Sequence, residues 1–178
     1  MKISLWTNTK DEKQEILNLT KKIFGDVDIT KASYFDWQYR DNPNGKAIVL
    51  LARDDNSKNL LVGTNTIIPQ KLIVDGEIIT SSLACNVQVH SSYRKKHIFS
   101  DLLLSMPNSA LTNDVHSLFA IPNDNSFKAF INEGSIEIAH LPLLIKPIKL
   151  SKYFGFPIKQ ILKPFDIFWK NKNVFSDI

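Results

Sequence analysis

The chain has 178 residues, a formal charge of +4 and hydrophobic residues at 43% of its positions. That length suits one domain, alone or with a tail, and the composition is that of an ordinary globular protein with a buried core. The charge suits a small anionic ligand but is too low to indicate nucleic-acid binding, and no apolar run approaches the ~20 residues of a membrane span. One cysteine, Cys85, excludes internal disulfides. Because the N-terminus is too polar for a signal peptide, we expect a cytoplasmic protein.

The first part of the chain predicts one strand and two helices. The strand covers residues 3–6. Thr9 followed by Glu12 is a capping-box pattern that predicts a helix start, and Gly25 ends that helix. A second helix follows Thr30 and ends before an Asn-Pro pair. Its aromatic residues could line an acceptor pocket or pack onto a sheet, and we favour packing. They are Tyr34, Phe35, Trp37 and Tyr39.

Strand patterns dominate the middle of the chain. They cover residues 47–53, 60–69, 71–74, 77–80 and 84–90. The connections are too short for crossovers, and Asp75-Gly76 is a strong hairpin signal, so these strands are expected to be antiparallel. Later elements are a helix at 99–106 broken by Pro107, a strand at 115–120, a helix at 126–132 and strands at 136–141 and 143–148. This order predicts an α/β (α+β) fold with a mixed, mostly antiparallel central sheet flanked by helices.

The last segment differs in composition from the rest. Residues 151–178 contain five lysines, two aspartates and seven aromatic residues, and two prolines prevent one long helix. We therefore divide the chain into a domain at 1–150 and a basic aromatic C-terminal tail at 151–178. The tail could lie on anionic lipid, close a homodimer or begin a further domain; we favour packing on a partner or on the body of the protein.

Residues 86–105 combine a short strand, a basic turn and a helix. The strand contains Val87 and Val89, and the turn contains Arg94, Lys95 and Lys96. Amides at a helix start lack intrahelical partners and carry partial positive charge, so a phosphate or pyrophosphate fits there. A solvated basic turn that merely joins strand and helix is the alternative, and the local residues alone do not decide between them.

The run VQVHSSYRKKHIFSDLL resembles the acyl-CoA pyrophosphate loop of the GCN5-related N-acetyltransferase superfamily. In that family an apolar-x-apolar-His/Asp-Pro strand end is followed by Tyr-Arg and R-x-x-G-x-G/A. Tyr93 and Arg94 match the Tyr-Arg pair, whereas His97 and Phe99 stand where the two glycines belong. Phe35, Trp37, Tyr39, Asn42, Pro43 and Gly45 resemble another pattern of the same superfamily.

A second motif follows the strand at 115–120. The superfamily commonly has Asn, a small residue three later, an aromatic seven later and Gly four beyond that. Asn123, Ser126, Phe130 and Gly134 keep this spacing. In relatives the Asn and the small residue approach the CoA arm, and the aromatic is often a Tyr that can protonate the departing thiolate. Phe130 lacks the hydroxyl, so by itself it predicts no more than the buried face of a short helix.

The resemblance implies a set of residues that bind acyl-CoA. They would do so through backbone groups of the strand, through amides of the loop and through the second motif. They are Val87, Gln88, Val89, Arg94, Lys95, Lys96, His97, Ile98, Phe99, Ser100, Asn123, Ser126 and Phe130. His90 is a weak candidate for a general base. Cys85 is expected to be a buried thiol and not a nucleophile. No His, Cys and carboxylate spacing indicates a metal, and no NTP or NAD motif occurs.

The resemblance implies an acyl-CoA-dependent N-acyltransferase, with acetyl-CoA or another acyl-CoA as cosubstrate. A primary amine of a small molecule or peptide would attack the thioester directly. The acceptor is not identified by the sequence. Two alternatives remain open: a binding module that keeps the fold but has lost CoA, as His97 and Phe130 suggest, and a protein that docks through its tail.

Overall fold

Five β-strands form one sheet in the computed structural model, which describes residues 1–94 and 96–140. The strands are β1 (Lys2–Leu5), β2 (Ile48–Asp54), β3 (Leu60–Val74), β4 (Glu77–Val89) and β5 (Ser117–Ala120), in the order β1-β2-β3-β4-β5. The first three pairings are antiparallel, and β4 pairs with β5 in parallel. The predicted mixed, mostly antiparallel sheet is confirmed.

Helices cover both faces of this sheet. They are α1 (Lys10–Phe24), α2 (Ala32–Phe35), which continues as a π-turn (Asp36–Arg40), α3 (Ile98–Leu104), α4 (Met106–Leu111) and α5 (Asp124–Asn132). Short 3₁₀ turns lie at Asp28–Thr30 and Ser91–Tyr93. The predicted helix start is confirmed, because the Thr9 hydroxyl accepts from the Glu12 amide. The reciprocal half of the capping box differs, since the Glu12 carboxylate accepts from the Thr7 amide at 2.9 Å. Gly25 follows the last turn of α1 with a positive φ.

The strands bury one set of side chains toward α1 and α2 and the alternate set toward α3, α4 and α5. The first cluster includes Ile16, Leu19, Phe35, Tyr39, Val49, Leu51 and Ile68. The second includes Leu50, Val62, Ile67, Ala84, Val89, Ile98, Leu102 and Phe130. The prediction that Phe35 and Tyr39 pack onto the sheet is confirmed, whereas Trp37 is 64% exposed. The period-2 alternation of β2 and β3 thus makes a three-layer arrangement.

The four strand segments predicted between residues 60 and 90 are two continuous strands. Their register runs unbroken from Ile67↔Ala84 to Val74↔Glu77, around an Asp75-Gly76 turn in which both residues have positive φ. The hairpin prediction is therefore confirmed, but the predicted break at Gln70 is wrong. Pro69 is tolerated because it lies beyond the last β2 pair, Ile48↔Ile67, where β4 is the one neighbour of β3 among the described strands.

Three further expectations need correction. Pro107 does not end the helical region, because it lies in the first turn of α4, where no amide donor is needed. Residues 136–140 form no strand. The fifth strand begins at Ser117, two residues later than expected.

The chain divides into two units, Met1–Ile136 and Glu137–Ile178, and the elements above belong to the first. The predicted strand at 143–148 and the tail at 151–178 lie outside the described residues. Among the helices of residues 1–94 and 96–140, none is long and apolar enough to cross a membrane.

Candidate active site

The parallel strands β4 and β5 separate after a short stretch of pairing. They pair only between Ser81–Ala84 and Ser117–Ala120, and β4 then continues to Val89 without β5 beside it. The loop after β4 leads into α3, and the turn after β5 leads into α5. The carboxyl ends of two parallel strands and the starts of the two following helices therefore border one opening, which we call the cleft. Ligands of α/β sheets bind at such positions.

A β-bulge lies in β4 at the edge of the cleft. Asn86 has a φ of 52°, and the register with β3 shifts between Thr64 and Thr66. Beyond the bulge the His90 amide donates to the Val62 carbonyl at 2.8 Å. Because bonded and non-bonded pairs alternate in an antiparallel ladder, the next bonded pair is Gln88 with Thr64. The Val89 N–H consequently points away from β3, toward the cleft.

The side chains at the end of β4 pack into the two hydrophobic clusters on either face of the sheet. Gln88 is buried, and its Nε2 donates to the hydroxyls of Thr20 at 2.8 Å and Thr64 at 2.9 Å. Val87 and Val89 pack in the cluster on the α3 side of the sheet. A ligand in the cleft would therefore meet the backbone of these residues, and the Gln88 side chain faces the opposite layer.

The basic loop between β4 and α3 is held by one side-chain hydrogen bond within the loop and by another to the end of β2. His90 accepts a hydrogen bond from the Ser92 amide at its Nδ1, 3.3 Å away, and so caps the 3₁₀ turn. The Tyr93 hydroxyl donates to Asp54 Oδ2 at 2.7 Å, which lowers the pKa of that carboxyl. Lys96 Nζ lies 4.6 Å from the centre of the Tyr93 ring. Arg94, Lys96 and His97 are exposed, whereas Lys95 lies outside the described residues.

His97 adopts the left-handed conformation that glycine favours. Its φ and ψ are 58° and 3°, and it immediately precedes α3. This finding supports the alignment of His97 with the first glycine of the family loop, because the backbone there keeps the geometry that a glycine accommodates without strain. The Cβ of His97 adds bulk at that point of the loop.

Two of the three residues that depart from the family pattern, Phe99 and Phe130, contact each other. The rings of Phe99 and Phe130 meet edge to face with centroids 6.4 Å apart, and Phe130 is buried. Ile98 is also buried, and Ser100 is half-buried. Phe99 and Phe130 thus join the start of α3 to α5 beside the cleft.

The Asn123–Ser126 pair forms the cap of α5. Asn123 Oδ1 accepts from the amides of Asn125 and Ser126 and from the Ser126 hydroxyl, each at 3.1 Å. The spacing that marked this motif is therefore also the spacing of an N-cap. It fixes the start of a nine-residue helix at the end of β5.

Two contacts in this region were missed by the sequence interpretation. Gly63 allows α3 to lie close to β3, since a Cβ at Gly63 would be 3.2 Å from side-chain atoms of both Ile98 and Leu102. Asn86 Nδ2 donates to the Tyr39 hydroxyl at 2.8 Å and to Gln38 Oε1 at 3.2 Å. An Asn within a strand pattern was the available signal for the bulge, because Asn tolerates the left-handed region better than most residues.

We expect Cys85 to be unreactive in the native protein. Burial raises the pKa of its thiol to about 12, so almost none of it is thiolate near neutral pH. Alkylation by iodoacetamide, followed by mass spectrometry, should be at least ~100-fold slower in native protein than in urea-unfolded protein. Comparable rates in the two states would contradict the expectation and make Cys85 a candidate nucleophile.

Among residues 1–94 and 96–140, no three His, Cys, Asp or Glu residues form a group that could hold a metal ion. His116 is exposed and lies 3.7 Å from Asp114.

Comparison with known families places the chain clearly. Residues 6–124 match the sequence model of the acetyltransferase (GNAT) domain. This match spans β2 to β5, the basic loop and the first residue of α5, and it begins just after β1. No curated protein sequence matches the chain.

Solved structures share the fold at low sequence identity. A ribosomal-protein-alanine N-acetyltransferase from Brucella melitensis is 17% identical, with 82% of this chain and 100% of that chain covered at a TM-score of 0.62. A predicted acetyltransferase with acetyl-CoA from Clostridium acetobutylicum is 13% identical, with 81% and 96% covered at 0.62. An aminoglycoside antibiotic 6′-N-acetyltransferase from Acinetobacter baumannii is 13% identical, with 82% and 99% covered at 0.62.

Proposed function

The chain belongs to the GNAT family of acetyltransferases, and from that premise we propose that it transfers an acyl group, in the first instance acetyl, from CoA to a primary amine. The observation that carries this proposal is the cleft, where β4 extends past the end of its pairing with β5 and the Val89 N–H points away from β3. A thioester carbonyl placed there would accept that hydrogen bond. The negative charge that develops on its oxygen during attack would then be stabilised.

We assign the anionic part of the cosubstrate to the loop before α3. The pyrophosphate would accept hydrogen bonds from the amides of residues 95–99 and would lie near the positive side chains of Arg94, Lys95 and Lys96. The pantetheine arm would follow the backbone of residues 87–89 into the cleft, with Asn123, Ser126 and Phe130 on the other side. Acetyl-CoA itself carries the activated acyl group, and the protein's share is to hold and orient it.

The proposed reaction is direct attack. The neutral amine forms a C–N bond to the thioester carbonyl carbon, the tetrahedral intermediate collapses, and the C–S bond breaks to release CoA thiolate. Phe130 has no hydroxyl to protonate that thiolate, but a thiol pKa of about 8.5 allows it to leave unassisted and take a proton from water.

His90 is the candidate that could receive the amine proton. Its Nδ1 accepts from the Ser92 amide, so in the neutral ring Nε2 carries the hydrogen and Nδ1 has the lone pair. His90 could therefore take the amine proton only at Nδ1, after releasing the Ser92 amide. Because proximity supplies much of the rate, transfer does not require this base.

The acceptor remains a class, an amine of a small molecule or peptide. The structural relatives named above act, by their names, on a ribosomal-protein alanine and on an aminoglycoside antibiotic. Proteins of this one fold thus take chemically different amines, and the fold does not select among them.

The rival function is a non-catalytic module that retains the fold and has lost CoA. The observation that favours it is the bulk of His97 at a glycine position. Calorimetric titration of the full chain with acetyl-CoA separates the two, because the enzyme requires binding. Saturable binding supports the proposal, and the absence of heat at millimolar ligand overturns it.

We expect His97→Gly to tighten acetyl-CoA binding several-fold. Glycine accepts a φ of 58° freely, whereas the left-handed region costs other residues ~1–2 kcal/mol, and loss of the Cβ lets phosphate approach the loop amides. Calorimetry and thermal melting measure the two effects.

The matched control for His97→Gly is Asp114→Gly, because Asp114 also has a left-handed φ of 59° but lies in the turn before β5, outside the proposed ligand contacts. The control should change stability similarly and leave affinity unchanged. Unchanged or weaker binding by His97→Gly would mean that the ligand does not approach the loop at this residue.

A further inference from the structure

Two rare backbone features meet beneath the cleft. One is the bulge in β4, where Asn86 is left-handed, and the other is the π-turn Asp36–Arg40 that continues α2. They are joined by the hydrogen bonds from Asn86 Nδ2 to the Tyr39 hydroxyl at 2.8 Å and to Gln38 Oε1 at 3.2 Å. We call these three residues the bulge clamp. π-turns and bulges are both found disproportionately at functional sites.

The π-turn residue Tyr39 is held firmly. Its side chain is buried, its ring packs on Phe35 with centroids 4.5 Å apart, and the Thr66 hydroxyl donates to its oxygen at 3.2 Å. Its carbonyl accepts from the Ala47 amide at 2.8 Å, just before β2. Tyr39 is thus bonded to β3 and to the residue that precedes β2, so its position is fixed and it can in turn position Asn86.

The bulge decides where the following amides of β4 point. A bulge inserts one residue opposite its partner strand, so the residues after it are turned relative to a regular strand. Val89 lies three positions after Asn86, and its N–H faces the cleft only because the ladder resumes in the register Thr64↔Gln88 and Gly63↔Val89. The contacts that fix the conformation of Asn86 therefore also fix the direction in which the Val89 N–H points.

We infer that the bulge clamp is a positioning device, in which Tyr39 and Gln38 hold Asn86 so that the Val89 N–H is aimed at the thioester carbonyl of bound acetyl-CoA. This inference rests on the proposed function. It adds residues of the α2 layer, which need not touch CoA, to the determinants of thioester polarisation. The carbonyl is the part of the ligand that the clamp should affect, and the pyrophosphate is the part that it should not.

The test compares acetyl-CoA with CoA, because the two ligands differ only in the group that the clamp serves. Binding of each to the full chain is measured by calorimetry for wild type, Tyr39→Phe and Asn86→Gly. Asn86→Gly keeps the left-handed backbone accessible while removing the side-chain amide. Tyr34→Phe is the matched control, since it removes a tyrosine hydroxyl from the same helix without touching Asn86. Infrared spectra of acetyl-CoA with a ¹³C-labelled carbonyl report the hydrogen bond directly.

We expect wild type and Tyr34→Phe to prefer acetyl-CoA and to lower the carbonyl stretching frequency on binding. In Tyr39→Phe and Asn86→Gly the ratio of acetyl-CoA affinity to CoA affinity should fall by about tenfold, or the preference should vanish. The affinity for CoA should be nearly unchanged. The carbonyl stretching frequency of bound acetyl-CoA should move back toward its value in water. Equal preference and frequency in all four proteins, no preference in wild type, or an equal loss of affinity for both ligands in the two clamp variants would overturn the inference. If wild type binds neither ligand, the proposed function fails and this inference falls with it.

Discussion

Arg94→Glu should weaken acetyl-CoA binding by about tenfold, and the double variant with Lys96→Glu by more. Exposed ion pairs contribute ~0.2–1 kcal/mol, and charge-assisted hydrogen bonds contribute ~1.5–3 kcal/mol. We therefore expect the reversal of one charge beside a pyrophosphate to cost about 1.4 kcal/mol of binding free energy. That cost corresponds to a tenfold rise in the dissociation constant. Arg94 is exposed in the loop, and Lys96 is oriented over Tyr93, so neither substitution removes a core contact. Calorimetric titration measures the change.

A matched control for this charge reversal is Lys71→Glu. Lys71 is an exposed residue of the β3–β4 hairpin and pairs with Thr80. Its substitution by Glu changes the net charge by the same amount as Arg94→Glu, but away from the basic loop. The Arg94→Glu effect should shrink as salt rises, because the Debye length falls from ~10 Å at 0.1 M to ~3 Å at 1 M. If Lys71→Glu weakened binding as much as Arg94→Glu, the pyrophosphate assignment would be wrong.

Elements with strong local signals could be predicted from the sequence. The start of α1 follows from Thr9 and Glu12, and the β3–β4 turn follows from Asp75-Gly76, because in both cases the interacting groups lie within a few residues of one another. The expected packing of aromatic residues of the second helix is met by Phe35 and Tyr39, which lie four positions apart on one helix face, whereas Trp37 is exposed.

Features that depend on a distant partner could not be predicted. The continuation of β3 through Pro69 requires knowing that β2 ends at Ile48↔Ile67, and the bulge at Asn86 requires the register against Thr64 and Thr66. The same is true of the π-turn, whose residues read as an ordinary helix in the sequence. Tertiary pairing overrides local propensity at these positions.

In the candidate site, too, local features could be predicted from the sequence and contacts with distant residues could not. The order of residues predicted a basic loop between a strand and a helix, and the structure has this loop between β4 and α3. The left-handed φ of His97 supports its alignment with a glycine, and the ligand contacts of the loop stay a prediction. The anchoring of the loop could not be predicted from the sequence, because the Tyr93 hydroxyl bonds to Asp54, thirty-nine positions earlier in the chain. The sequence also could not show that the Gln88 side chain donates to the hydroxyls of Thr20 and Thr64 on the α1 side of the sheet.

The largest expected loss of stability is for Leu102→Ala. Leu102 is 0% exposed in the core beneath α3, beside Gly63. Its carbonyl accepts from Asn65 Nδ2 at 3.3 Å, so the helix has little room to move into the space left by the removed side chain. Large-to-small substitutions of this kind cost ~2–5 kcal/mol, a sizeable part of the ~5–15 kcal/mol that stabilises a typical domain. Urea unfolding followed by circular dichroism should show a lower midpoint with an unchanged slope.

Leu104→Ala is the control for that measurement, because it makes the same substitution in the same helix at a side chain that is 57% exposed. Its free energy of unfolding should stay within about 0.5 kcal/mol of wild type, as is usual for surface positions. Saturating acetyl-CoA should partly restore the Leu102→Ala midpoint, since a ligand that binds only the folded state stabilises it. Equal losses in the two variants would mean that the buried face of α3 is not the one that contains Leu102.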